Sequence, residues 1–171
     1  MWDAAAPVDE RFDGQDPAAP PNGVPFSLRF ACPAAWTDAS AAHPESELLD
    51  AQCVIAGDRF YLRGLLILPI VDAEHDFECS VWVEVDEHDF VVRCSRWFTH
   101  GREHDAPINA RLAVTLPGYG GSTVGIPGLL QDREVGLPPH FTLLDDGHPL
   151  GRDQHIGITI ERAAAFASPV G

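Results

Sequence analysis

The triplet Glu-His-Asp occurs three times, as Glu74-His75-Asp76, Glu87-His88-Asp89 and Glu103-His104-Asp105. Imidazole and carboxylate are both ordinary ligands of transition metals, so these triplets are the first place to look for chemistry. Distance limits them: His75 and His88 flank a run of extended chain at about 3.3 Å per residue and cannot share an ion. If the chain turns back after His88 as a further strand, His100 and His104 return to the end where His75 lies. His75, His100 and His104 are therefore the candidate metal ligands.

A second constellation is Trp82 with Arg63 and Arg93. Trp82 is out of phase with the apolar set of its run, and the two arginines fall on the runs either side. A large aromatic beside guanidinium groups can form a binding surface, because arginine stacks on an aromatic face. The alternative is that a helix or loop covers that face and Trp82 joins a second small core. Tyr119 lies in Gly118-Tyr119-Gly120-Gly121-Ser122-Thr123, whose backbone N–H groups and hydroxyls can cradle an anion. His148, next to Pro149, and His155 precede the last predicted helix. Tyr119 and His148 complete the candidate binding residues, with a turn hydrogen bond to backbone as the competing role for His148.

Some chemistry is excluded outright. All 11 basic side chains are arginine, so no P-loop lysine, Schiff base or pyridoxal-phosphate anchor can form. Gly120-Gly121-Ser122-Thr123-Val124 lacks the closing glycine of a nucleophile elbow. Cys32, Cys53, Cys79 and Cys94 include no Cys-x-x-Cys pair and read as small core residues in a reducing compartment, with a Cys79–Cys94 bridge as the alternative. No cofactor motif is present; a divalent metal enters only through the histidines.

The elements that must position these groups are set by periodicity. Residues 59–68, 77–85 and 90–98 are three apolar runs with turn chemistry between them; in the second, Phe77, Cys79, Val81, Val83 and Val85 alternate with Glu78, Ser80, Trp82 and Glu84. A period of two belongs to a half-buried strand, so the three runs predict a β-meander. Further strands are expected at residues 26–30, 52–55, 111–116 and 141–144, with 124–130 as strand or coil. Residues 52–55 and the strand from Arg59 flank Ala56-Gly57-Asp58 as a hairpin. A brief helix is expected at residues 44–49, turn chemistry at 145–150, and a C-terminal helix over 159–167 with Thr159 as its N-cap. The predicted fold is α+β: an antiparallel sheet of five to seven strands with one or two short helices.

The chain has 171 residues and a formal charge of -15, a size for one domain and a field that repels phosphate backbones and anionic lipid. Residues 1–24, rich in Pro, Ala and Asp, predict a mobile tail, leaving 25–171 as a single domain. The first residues do not read as a signal peptide, and no apolar run approaches the roughly 20 residues that cross a bilayer. The expected location is the cytoplasm.

Set side by side, Cys53-Val54-Ile55, residues 60–64, Val81-Trp82-Val83, Leu116-Pro117-Gly118-Tyr119, Val135-Gly136-Leu137, His148-Pro149-Leu150, Gly157-Ile158-Thr159 and Glu161-Arg162-Ala163 resemble a bacterial family, domain of unknown function 2199. The resemblance extends in order from about Phe26 to Ala167 and brings no assigned function or catalytic residues. Many members start with a Cys-x-x-Cys pair, which this chain lacks.

Two functions are carried forward. The first is a non-enzymatic binding or regulatory module presenting an acidic surface to a basic protein partner, without nucleic acid or membrane. The alternative is a metal-dependent enzyme using His75, His100 and His104, or a site near His148 and His155 with the Gly118 loop.

Overall fold

Alternating residues place two long strands where periodicity predicts them. Arg59–Leu68 and Phe77–Val85 pair antiparallel from Phe60↔Val85 to Leu68↔Phe77. The odd positions from Phe77 to Val85 are buried against Leu62, Leu66 and Leu68. The computed structural model describes residues 27–144 and 147–167. The tail expected over 1–24 lies outside them, as do Phe26 and the Asp145-Asp146 part of the expected turn.

In chain order the elements are β1 (Ser27–Arg29), α1 (Asp38–Ala42), β2 (Glu47–Leu48), β3 (Gln52–Ile55), β4 (Arg59–Leu68), β5 (Phe77–Val85), α2 (Glu87–Ser95), β6 (Ile108–Leu112), β7 (Pro127–Gln131), β8 (His140–Leu143), α3 (Pro149–Ile156) and α4 (Ile160–Ala167), with a 3-10 turn at Arg102–His104. The α+β class and the C-terminal helix stand. The sheet differs from expectation: its eight strands run β1-β5-β6-β7-β8-β4-β3-β2, and β4 also pairs with β5. Strands β4 to β8 thus close into a barrel. Five strands that reverse direction at each step end running the same way as they began, so closure must be parallel, as the Leu65↔His140 pairing of β4 with β8 is. A second parallel pairing joins β1 to β5. The sheet is therefore not purely antiparallel.

Glycine makes the small barrel possible. A Cβ at Gly128 of β7 would come within 2.5 Å of the Phe141 ring, and one at Gly64 within 3.0 Å of Leu130. Phe141 and Leu130 are both almost fully buried and fill the space. The same glycine breaks the apolar alternation of β7 in the sequence.

The expected meander fails at its third run, because residues 87–95 form α2. Asp86 caps it by accepting from the Asp89 N–H at 2.8 Å, with Glu87 and Asp89 in the first turn, where acids offset the helix dipole. Phe90, Arg93, Cys94 and Trp97 recur at helical spacing, while Val91 is 57% exposed. The valines and phenylalanine suggested a strand; the cap and the burial pattern of the tertiary structure select a helix.

Other boundaries move for similar reasons. The brief helix expected at residues 44–49 does not form: residues 47–48 are β2, and a helix lies upstream at Asp38–Ala42, started by a capping box of Thr37 and Ser40. His148 and Pro149, expected in a turn, start α3 as its N-cap and first residue. The cysteines are free. Burial pushes the Cys79 thiol up to about 12, so it is a protonated core group rather than a nucleophile or half of a bridge to Cys94.

Candidate functional site

On the outer face of the barrel, β4 and β5 carry Arg63 and Trp82 opposite one another. The segment after β1 covers them. Trp82 is fully buried, and its indole N–H donates to the Phe30 carbonyl at 3.1 Å. Arg63 lies over the Trp82 ring, 4.5 Å from its centroid. It donates from Nε to the Asp50 carbonyl and from Nη1 to the Phe30 carbonyl at 2.9 Å and to Ser80 Oγ at 3.1 Å. Trp82 is thus part of the buried core, and Arg63 is the member of the pair that lines a cavity.

That cavity has a volume of about 310 Å³. β1 supplies Arg29, β4 Arg63, β5 Ser80, and the turn between β2 and β3 supplies Asp50; Trp97, Arg102 and residues 136–139 close the other side. Arg102 is 2% exposed. Its fork donates to the carbonyls of Trp97, Arg133, Glu134 and Leu137, fastening the wall loop, while its guanidinium stacks on Trp97. The Pro139 carbonyl in turn accepts from the Leu65 N–H of β4 at 2.8 Å.

Three of eleven arginines in an acidic chain meet here. Among the described residues the buried guanidiniums of Arg63 and Arg102 are bonded to carbonyl and hydroxyl oxygens, none to a carboxylate. Among the described residues Asp50 is the one acid lining the cavity, and its carboxylate holds Arg29 at 2.5 Å. Burial, and then the like charge of Arg29, push the Arg63 guanidinium below its usual value, with Asp50 acting the other way. Arg63 Nη2 makes no hydrogen bond among the described residues, and Arg63 lines the cavity. Like charges gathered with their donors incompletely used attract an anion.

The other expected residues are placed elsewhere. Arg93 is on α2, not on a strand beside Trp82. It forms a buried ion pair with Asp132 at 2.8 Å and donates to the Ala106 carbonyl. Tyr119 donates its hydroxyl to Asp153 Oδ2 at 2.7 Å, the oxygen that also meets Arg162 Nη2 at 2.7 Å. Its ring stacks on Phe166 of α4. Burial and this hydrogen bond push the Tyr119 phenol well up, so it stays protonated. His148 Nδ1 accepts from the Leu150 N–H at 3.0 Å, the backbone role that competed with a site role. His155 is exposed at the end of α3. In the Gly118 loop, Thr123 Oγ1 donates to the Val114 carbonyl and accepts from the Leu116 N–H, so that hydroxyl holds the loop itself.

His75 lies in the β4–β5 connection, His100 just before the 3-10 turn beyond α2, and His104 at the last position of that turn. The run expected to carry His100 and His104 back as a strand is a helix. Among the described residues no three His, Cys, Asp or Glu side chains gather to hold a metal ion. The residues that sequence reasoning missed are Arg29, Asp50, Ser80, Trp97 and Arg102. No local spacing marks them, since they lie on separate elements; only Arg63 was visible, through its place beside Trp82.

No helix among the described residues is long and apolar enough to cross a membrane. No curated protein and no solved structure matches the chain. Residues 18–158 match the family described as "Uncharacterized protein conserved in bacteria (DUF2199)", a stretch that includes the barrel and α3 and ends before α4. The chain, matched over most of its length, belongs to that bacterial family.

Proposed function

We propose that this protein is a non-enzymatic binding module and that its ligand seat is the arginine-lined cavity, which takes an anion. The observation that carries this reading is the convergence of Arg29, Arg63 and Arg102 on one small cavity in a chain of formal charge -15. Guanidinium forks recognise carboxylate and phosphate through paired hydrogen bonds, and partial burial strengthens those bonds. Trp97 and the proline-rich wall supply apolar contact, the usual mix of a small-molecule pocket.

Thermal unfolding of the full chain with inorganic phosphate or succinate, at fixed ionic strength, tests this. A saturable rise in Tm is expected with at least one of the two, because a ligand that binds only the folded state stabilises it. Arg29→Gln, at the exposed rim, is expected to weaken that response about tenfold by removing a charged donor. A rise that Arg29→Gln leaves intact, or none in the wild-type protein, overturns the assignment.

The basic protein partner has its own support. A cleft of about 820 Å³ is lined by Asp58, Glu84, Asp86 and Glu87 against Arg59 and Arg111. Arg59 is already held by Glu84 at 2.9 Å, so the remaining field is negative and favours a cationic surface. Affinity for such a partner falls as salt is raised; a partner insensitive to salt argues against this role.

A further inference from the structure

We infer that the Asp50 carboxylate is an internal substitute for the cavity's ligand, and that a compact oxyanion, phosphate or carboxylate, displaces it from Arg29. The inference rests on the cavity being a ligand seat and adds how that seat is regulated.

Asp50 plays two separable parts. Its backbone is pinned: the Leu49 N–H donates to the Gln52 carbonyl at 2.8 Å to close the β2–β3 turn, the Ala51 carbonyl accepts from the Arg63 N–H at 2.9 Å, and the Asp50 carbonyl accepts from Arg63 Nε. Its side chain is loose by comparison. The Asp50 and Arg29 side chains are 84% and 57% exposed, and an exposed pair of this kind is screened by solvent and contributes little. A rotation about the Asp50 side-chain bonds, a motion of exposed residues on the picosecond to nanosecond scale, frees Arg29 while the turn stays in place.

The same geometry names the class of occupant. Asp50 presents to Arg29 the planar oxygen pair that a free carboxylate or a phosphate face presents. Ser80 adds a hydroxyl whose oxygen is engaged by Arg63, leaving its proton to donate to an anion. A space of about 310 Å³ is at the small end of ligand pockets, which selects a compact anion over a polymer. With the ligand bound, the repulsion between Arg29 and Arg63 is relieved by an anion that can face both. Asp50, tied to Arg29 at the rim, relieves less of it.

The test is calorimetric titration of inorganic phosphate, and separately of succinate, into the full-length wild-type protein, Asp50→Ala, Asp50→Asn and Asp76→Asn at one ionic strength. The two titrants separate the phosphate and carboxylate sources of the same chemistry. Removing a weak exposed competitor should tighten anion binding about two- to fivefold in both Asp50 variants. Asp76→Asn, an equal change of net charge in the β4–β5 connection, should shift it less than about twofold, since solvent screens a distant charge. Wild-type binding that both Asp50 variants leave unchanged or weaken overturns the displacement while the cavity stands as the seat. If neither titrant binds wild type or the variants, the seat falls and the displacement with it. Equal tightening by Asp76→Asn reduces the effect to net charge and also overturns it.

Discussion

The Arg63 guanidinium and the Trp82 indole share one acceptor, the Phe30 carbonyl, which receives Nη1 at 2.9 Å and Nε1 at 3.1 Å. Two strands of the barrel are thereby tied to the segment that crosses their outer face. The stacking of the two side chains explains why a charged group is stable there: its fork is largely satisfied and its plane rests on a π-face. One residue joins the covering segment to the sheet and also opens onto the cavity.

Arg63→Lys separates charge from geometry. Lysine keeps the positive charge but cannot reach the Asp50 carbonyl, the Phe30 carbonyl and Ser80 together with a planar fork. The substitution is expected to lower unfolding stability by about 2 kcal/mol, the scale for losing charge-assisted bonds to buried acceptors. Urea denaturation measures it, and a variant as stable as wild type would show that the fork does not fasten the covering segment.

The Arg93–Asp132 pair, each side chain 5% exposed, is structural. Asp132→Ala leaves a buried guanidinium short of a counter-charge and is expected to cost about 3 kcal/mol. Asp105, 3.6 Å from Arg93, limits the loss. Replacing both members, as Arg93→Met with Asp132→Leu, should cost less than Asp132→Ala alone, because neither charge is then stranded. A double variant less stable than the single one contradicts this account.

His140, on β8, carries a buried Nε2 without a partner among the described residues. Burial first, and the charge of Arg133 second, push its pKa below the usual 6.5. The unfolded chain then binds the proton more readily than the folded one, so the stabilisation is complete above about pH 6.5 and is lost as pH falls toward the lowered folded value. Stability of wild type and His140→Gln, compared between about pH 7.5 and 5, should diverge with the wild type losing more. Parallel curves would remove His140 as the cause.

Much of the local structure was legible. Strands β4 and β5 show their period of two, α4 its helix-forming run, and Ala56-Gly57-Asp58 its turn between β3 and β4. At residues 87–95 the valines and phenylalanine read as a strand, a reading that misses the Asp86 cap that starts α2. That error also carried His100 and His104 toward His75 on a strand that is not there. His148-Pro149 was read as a turn for a related reason, since the same dipeptide can start a helix and only the following residues' packing decides.

The sequence by itself determined the α+β class, the paired long strands, the acidic charge and the absence of lysine chemistry, because each is a matter of composition or of spacing along a few residues. Tertiary structure decided the closure of β4 to β8, the helical state of residues 87–95 and the meeting of Arg29, Arg63 and Arg102. Closure depends on which strand edges find one another, and the cavity on carbonyls from distant turns that hold each guanidinium in place. Such contacts join residues far apart in the chain, where no local period records them.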